Sequence, residues 1–93
     1  MVRRLSEERI QRKLGSLTAW PREGDKIHRR IVCDDFREAM LFINAVAHLA
    51  EQVDHHPDIH VAYRTVTLAL TTHDAEGLTL RDFQLARSID ALL

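Results

Sequence analysis

A chain of 93 residues, 45% of them apolar and with a formal net charge of −1, has enough hydrophobic content to disfavour disorder. It has too little net positive charge for a dedicated nucleic-acid binder. The single cysteine, Cys33, excludes an intrachain disulfide and suits a reducing compartment.

The expectation is one domain, residues 1–93, whose monomer buries only a thin core. Met1-Val2-Arg3-Arg4 starts like an export signal, but Leu5 leads into Ser6-Glu7-Glu8 rather than an apolar run, so a cytoplasmic location is expected. The longest apolar stretch, Ala39 to Ala50, contains Asn44 and His48 and falls short of the ~20 residues a membrane helix needs. Charge is unevenly distributed. Residues 1–33 carry nine Arg or Lys against four acids, and residues 34–93 carry four against ten. Solvated faces account for that bias most simply.

The first helix begins after Ser6, a capping residue, with Glu7 and Glu8 in its first turn, Leu5 placed to staple onto Ile10 and Gly15 as its stop. Ala19-Trp20 reads as a short strand, Pro21 to Asp25 as a turn, and Ile27 to Cys33 as a second strand. Asp34 and Asp35 open the longest helix, with Glu38 in capping-box position. It carries two apolar stripes, Phe36/Met40/Ile43/Ala47/Ala50 and Phe42/Val46/Leu49/Val53, more than one sheet ordinarily covers.

Pro57 disfavours helix at His56, so 54–58 is a loop. Ile59, Val61 and Tyr63 alternate, then Val66, Leu68 and Leu70 alternate in the opposite parity. A turn or a bulge near Arg64 accounts equally well for that phase change. After a loop from His73 to Gly77, Thr79 caps a last helix with Leu85, Ile89 and Leu92 inward. The order helix, two strands, helix, two strands, helix predicts a two-layer α+β fold. Its four-stranded, mostly antiparallel sheet would carry the helices on one face, with open strand edges suited to self-association.

The chemistry concentrates in Glu51-Gln52-Val53-Asp54-His55-His56-Pro57, followed by Tyr63, His73 and Asp82. An imidazole with an ordinary pKa near ~6.5 gives or takes a proton at neutral pH. Three of them beside acids on short connections point to proton transfer without a redox cofactor. Zinc is the competing chemistry, but adjacent His55 and His56 diverge, and no Cys pair or His-x3-His spacing accompanies them.

The spacing Glu-x3-His-His-Pro-x5-Tyr-x9-His-x8-Asp, from Glu51 to Asp82, resembles the signature of the pterin-4a-carbinolamine dehydratases. The text around it, Val66 to His73 and Gly77-Leu78-Thr79, is similar too, and the likeness runs from about Leu5 to Leu92. Ile59 stands where animal members carry tryptophan, and Arg64 where asparagine is common.

The resemblance implies the two-layer α+β fold and dehydration of a 4a-hydroxytetrahydropterin to a quinonoid dihydropterin. It implies no cofactor, no metal, a pterin as the small-molecule ligand and a homodimer or homotetramer, with no nucleic-acid or membrane partner. Carried over, His55 and His73 form the acid/base pair on opposite sides of C4a, and His56 chiefly holds substrate beside Glu51. Pro57 rigidifies the loop, Asp82 orients a histidine or substrate group, and Asp54 and Thr72 line the site. Animal relatives of the fold also serve as dimerisation partners of a transcription factor, so a non-catalytic interaction module is the alternative. The intact proton-transfer positions favour the enzyme.

Overall fold

The computed structural model describes residues 2–93. Helix α1 (Glu7–Leu14) forms behind Ser6, whose Oγ accepts from the Arg9 backbone N–H. Its only fully buried residue is Ile10. Arg22 closes a two-pronged bond onto Glu7, at 2.8 and 2.7 Å, which holds the Glu7 carboxyl below its usual pKa range and raises that of Arg22. The fork ties α1 to the first strand.

That strand, β1, is Arg22–Glu23 and not the expected Ala19-Trp20. Trp20 instead ends a turn, its N–H bonded to the Leu17 carbonyl. Its indole is buried, and Nε1 donates to Asp90 at 2.8 Å. Burial of the large ring and its one polar atom decides the position; Pro21 contributes only its carbonyl, which accepts from the His28 N–H, and the strand proper starts at Arg22. Arg29 reaches the same Asp90 carboxylate, so one acid near the C-terminus gathers two distant segments.

Strands β2 (Lys26–Val32), β3 (Asp58–Ala62) and β4 (Thr65–Leu70) complete a four-stranded sheet in the order β1-β2-β4-β3, antiparallel throughout. Between β3 and β4 the chain makes a tight two-residue turn at Tyr63-Arg64, with Tyr63 at φ 53°. A tyrosine in a conformation that glycine or asparagine usually takes is why the turn has no sequence signal. The register puts Ile27 beside Leu70, Leu68 beside Ile59, and Val66 between Ile31 and Val61. This apolar side faces the helices, while His28, Arg30, His60 and Thr67 share the other.

Helix α2 (Phe36–Val53) starts at Asp35, whose carboxylate accepts from the Glu38 N–H at 2.8 Å. It packs on β4 and on α3 (Leu80–Asp90). The core takes Ala39, Val46 and Ala50, with Phe42, Ile43 and Leu49 against it. The inward face therefore combines members of both expected stripes. Phe36 and Val53, at 51% and 55% exposure, lie outside it with Leu41 at 56%, so apolar surface remains uncovered on α2. None of the described helices is long and apolar enough to cross a membrane.

Candidate functional site

The end of α2 aims the first two histidines. Asp54 takes a left-handed conformation (φ 50°, ψ 46°), and the N–H of His55 bonds back to the Ala50 carbonyl at 3.1 Å. This closing bond turns the chain sharply and sends His55 inward. Aspartate tolerates the left-handed region better than most side chains. Pro57, half-buried, then leads into β3.

Opposite, β4 stops at Leu70 and the chain folds into a short loop. Thr72 and Gly77 exchange two backbone hydrogen bonds, 3.1 and 3.3 Å, around one 3₁₀ turn (His73–Ala75). Glu76 takes a positive φ of 55° to close it. The N-terminal arm braces this loop, the Leu5 N–H bonding to the Leu78 carbonyl at 2.8 Å.

Between these connections lies a buried polar network centred on Asp82, itself 0% exposed. His55 Nε2 is 2.6 Å from Asp82 Oδ1, while Oδ2 takes the Thr72 hydroxyl at 2.8 Å and the Thr79 backbone N–H at 2.9 Å. A carboxylate only accepts, so each of these partners must donate. The His55 proton is therefore on Nε2. Since the Thr72 hydroxyl proton goes to Asp82, the Thr79 hydroxyl donates to Thr72 across 2.8 Å and accepts from the Arg81 N–H.

Every proton in the chain of bonds is thus assigned, as a buried network demands. Among the described residues no buried side-chain polar atom lacks a partner. His55 Nδ1 makes no such bond, so it reaches solvent, with its lone pair available in the neutral ring.

Asp82 thereby does two things with one side chain. Oδ2 completes the capping box of α3 with Thr79, and Oδ1 orients His55. Thr79, expected only as a cap, is also a structural member of the site. The Thr-x-x-Asp spacing signalled the cap, but nothing local could signal the histidine, since 27 residues separate it from Asp82.

The other expected residues are placed differently. His56 is exposed and pairs with Glu51 across 2.5 Å, one turn back on α2. His73 is exposed, and its ring makes no hydrogen bond among the described residues. It follows Thr72 directly, so it flanks the network without joining it. Tyr63, at the tip of the hairpin, is 68% exposed. A cavity of about 130 Å³ between α2 and α3 reaches His55, lined also by Gln52, Val53, Arg81, Gln84 and Leu85. Arg81 and the two glutamines escaped the sequence reading because they are ordinary surface residues in a helical pattern. No group of three or more His, Cys, Asp or Glu among the described residues is arranged to hold a metal ion.

Comparison with known proteins identifies the family through sequence and fold. The family model for pterin 4 alpha carbinolamine dehydratase matches residues 3–92. A relative from Roseiflexus sp. (strain RS-1), whose name places it among the pterin-4-alpha-carbinolamine dehydratases, is 48% identical over 93 residues, all of both chains. One from Acidobacterium capsulatum, named alike, is 52% identical over 89 residues, 96% of this chain and 97% of its own. A crystal structure from Brucella melitensis, of a protein described as a transcriptional coactivator/pterin dehydratase, superimposes with a TM-score of 0.91. It has 34% identity and covers 95% of this chain and 96% of its own. Matching sequence over nearly the full length and matching architecture together show that the chain belongs to the pterin-4a-carbinolamine dehydratase family.

Proposed function

We propose that the chain is a 4a-hydroxytetrahydropterin dehydratase, a carbon–oxygen lyase acting in tetrahydropterin recycling in the cytoplasm, with residues 1–93 as one catalytic domain. The observation that carries the reading is the buried contact, 2.6 Å, between His55 Nε2 and Asp82 Oδ1. With Nε2 turned to buried Asp82, Nδ1 is the ring nitrogen left to face a ligand.

In the reaction the C4a–O bond breaks, hydroxide leaves as water after receiving a proton, and the N5 proton is lost as the C4a=N5 bond forms. Acid and base must therefore stand at two different atoms of one ring. His55 and His73 take these roles from the loop after α2 and the loop after β4. A group positioned for such transfer contributes about 10²–10⁴ in rate.

His56, exposed on the rim with Glu51, holds substrate. Asp54, Pro57 and Thr72 shape the two loops, and Asp82 fixes the His55 ring. When the leaving oxygen departs as water, imidazole acid/base chemistry is sufficient, and neither metal nor cofactor is needed.

The deciding assay follows the decay of a 4a-hydroxytetrahydropterin with and without the purified chain. The chain is expected to accelerate it, and dialysis against a chelator is expected to leave the rate unchanged. Failure to accelerate overturns the assignment. A rate lost on dialysis and restored by zinc overturns the metal-free mechanism.

The working form in this reading is a homodimer or homotetramer. Two features support it: β3 is an edge strand with one side unpaired in the described sheet, and α2 leaves Phe36, Leu41 and Val53 half-exposed. The exposed apolar residues of α2 are spread round the helix, so the open edge of β3 is the stronger of the two supports. Sedimentation at micromolar concentration is expected to give a mass of two or four chains. A stable, active monomer refutes the proposal.

A further inference from the structure

Three hollows lie in sequence along α1, α3 and the N-terminal arm; none is lined by His55, His56 or His73, but Arg81 and Gln84 also line the His55 cavity and Thr72 lines the last of the three. The first, about 340 Å³, is lined by Arg9, Arg12, Lys13, Ser16 and Arg87. The second, about 550 Å³, shares Arg9 with it and adds Arg3, Arg4, Leu80 and Arg81. The third, about 570 Å³, shares Arg3, Arg4 and Arg81 and ends at Asp74.

Shared walls make these one continuous trough. Seven of the chain's 13 Lys and Arg residues line it, against a single lining acid.

The arrangement follows from helical spacing. Arg9 and Lys13 stand at i and i+4 on α1 with Arg12 beside them, Ser16 follows just past its end, and Arg81, Gln84 and Arg87 recur every three residues on α3. Outside the trough Arg22 meets Glu7, Lys26 meets Asp58 and Arg29 meets Asp90, while Arg30, Arg37 and Arg64 have no ion-pair partner among the described residues; the trough differs in gathering seven cations along one surface. In the trough only Arg12 meets a carboxylate, Glu8, at 3.9 Å and with both side chains largely exposed. Such a pair is weak. Arg9, Lys13, Arg81 and Arg87 have no ion-pair partner among the described residues. Like charges held side by side repel, and an anionic occupant relieves that repulsion.

We propose that this trough docks an acidic segment of a partner protein in which apolar residues are interleaved with Asp and Glu. Its elongated form and row of guanidinium groups suit a linear polycarboxylate, since the planar fork of arginine matches carboxylate geometry. The apolar component is set by the middle of the trough, where Leu80 is 38% exposed beside half-buried Val2. An inorganic polyphosphate would leave that patch uncovered. Single-stranded nucleic acid is disfavoured because none of the lining residues is aromatic, and grooves for such strands combine positive charge with aromatic stacking platforms.

The test is fluorescence anisotropy of a labelled peptide of Glu-Glu-Leu repeats on the full chain, at low and physiological salt. Saturable binding is expected. It should weaken with salt, and weaken about tenfold in the Arg9→Gln/Arg87→Gln double variant, as for loss of complementary charge at an interface. An Arg30→Gln/Arg37→Gln variant, altered outside the trough, should bind like the unaltered chain, and all three proteins should melt at the same temperature.

Absence of saturable binding overturns the proposal, as does equal weakening in both variants. Equal affinity for an all-Glu peptide removes the apolar element. Tighter binding of polyphosphate or oligo-dT makes this a phosphate site instead. Loss of self-association in the Arg9/Arg87 variant identifies a second copy as the occupant and equally sinks the idea. None of these readouts depends on dehydratase activity.

Discussion

Replacing His55 or His73 by alanine is expected to lower kcat by about 10²–10⁴, the range for loss of one positioned acid or base. His56→Ala is expected to leave kcat nearly intact and to raise KM, because its exposed ring and its Glu51 partner belong to binding rather than bond breaking. Initial rates of 4a-hydroxytetrahydropterin decay, over a range of substrate concentration, separate the two effects.

His55→Ala also removes one of three donors to a buried carboxylate, a loss that costs stability as well as rate. Its melting temperature has to be followed alongside, with His55→Gln as the variant that retains a donor. The His73 ring makes no hydrogen bond among the described residues, so His73→Ala should melt as the unaltered chain does and give the cleaner kinetic answer. If His56→Ala abolishes kcat while His55→Ala is silent, the roles are reversed.

Asp82→Asn is the second substitution with a large expected effect, and its reasoning is different. The asparagine oxygen can still accept from the Thr79 N–H and the Thr72 hydroxyl, which preserves the α3 cap. Its NH₂ group then faces His55 Nε2, where the carboxylate accepted a proton. To pair with that donor the imidazole must shift its own proton to Nδ1, the face left for substrate. A ring in the wrong tautomer cannot act as the base, and equivalent changes in another enzyme class cost about 10⁴ in kcat.

A fall of at least about 10² is expected here, on the scale of losing one positioned base, with the fold retained. Nitrogen NMR of the His55 ring should report the protonated nitrogen moving from Nε2 to Nδ1. An unchanged tautomer with lowered activity would mean that Asp82 acts on substrate directly. Asp82→Ala should behave differently again. It leaves the Thr72 hydroxyl, the Thr79 N–H and the His55 ring without their acceptor in a buried place, so stability should fall with activity.

Much of the architecture was legible because it rests on local chemistry. Ser6, Asp35 and Thr79 each begin a helix by accepting a backbone N–H. Alternation in β4 put Val66, Leu68 and Leu70 on the buried side, each 0% exposed. Elements failed to read where a residue was governed by something distant. Trp20 looked like part of a strand because aromatic residues favour strands, yet its indole is held by Asp90, 70 residues away. Tyr63 hid a tight turn because its positive φ is imposed by the two strands it joins.

The sequence by itself determined the order of elements, the two-layer α+β class and the positions of the histidines and acids, since caps, alternation and motif spacing act within a few residues. The family resemblance already implied Glu51 beside His56 and Asp82 orienting a histidine or substrate group; tertiary structure decided which histidine Asp82 holds and which ring is buried. His55 faces Asp82 because the left-handed Asp54 turns the chain inward at the end of α2, while His56, its immediate neighbour, stays on the surface with Glu51. Thr72 enters the network because β4 stops two residues earlier, which leaves His73 outside it. Side-chain identity and spacing are local properties, whereas burial, tautomer and hydrogen-bond partner depend on segments that meet only when the chain folds.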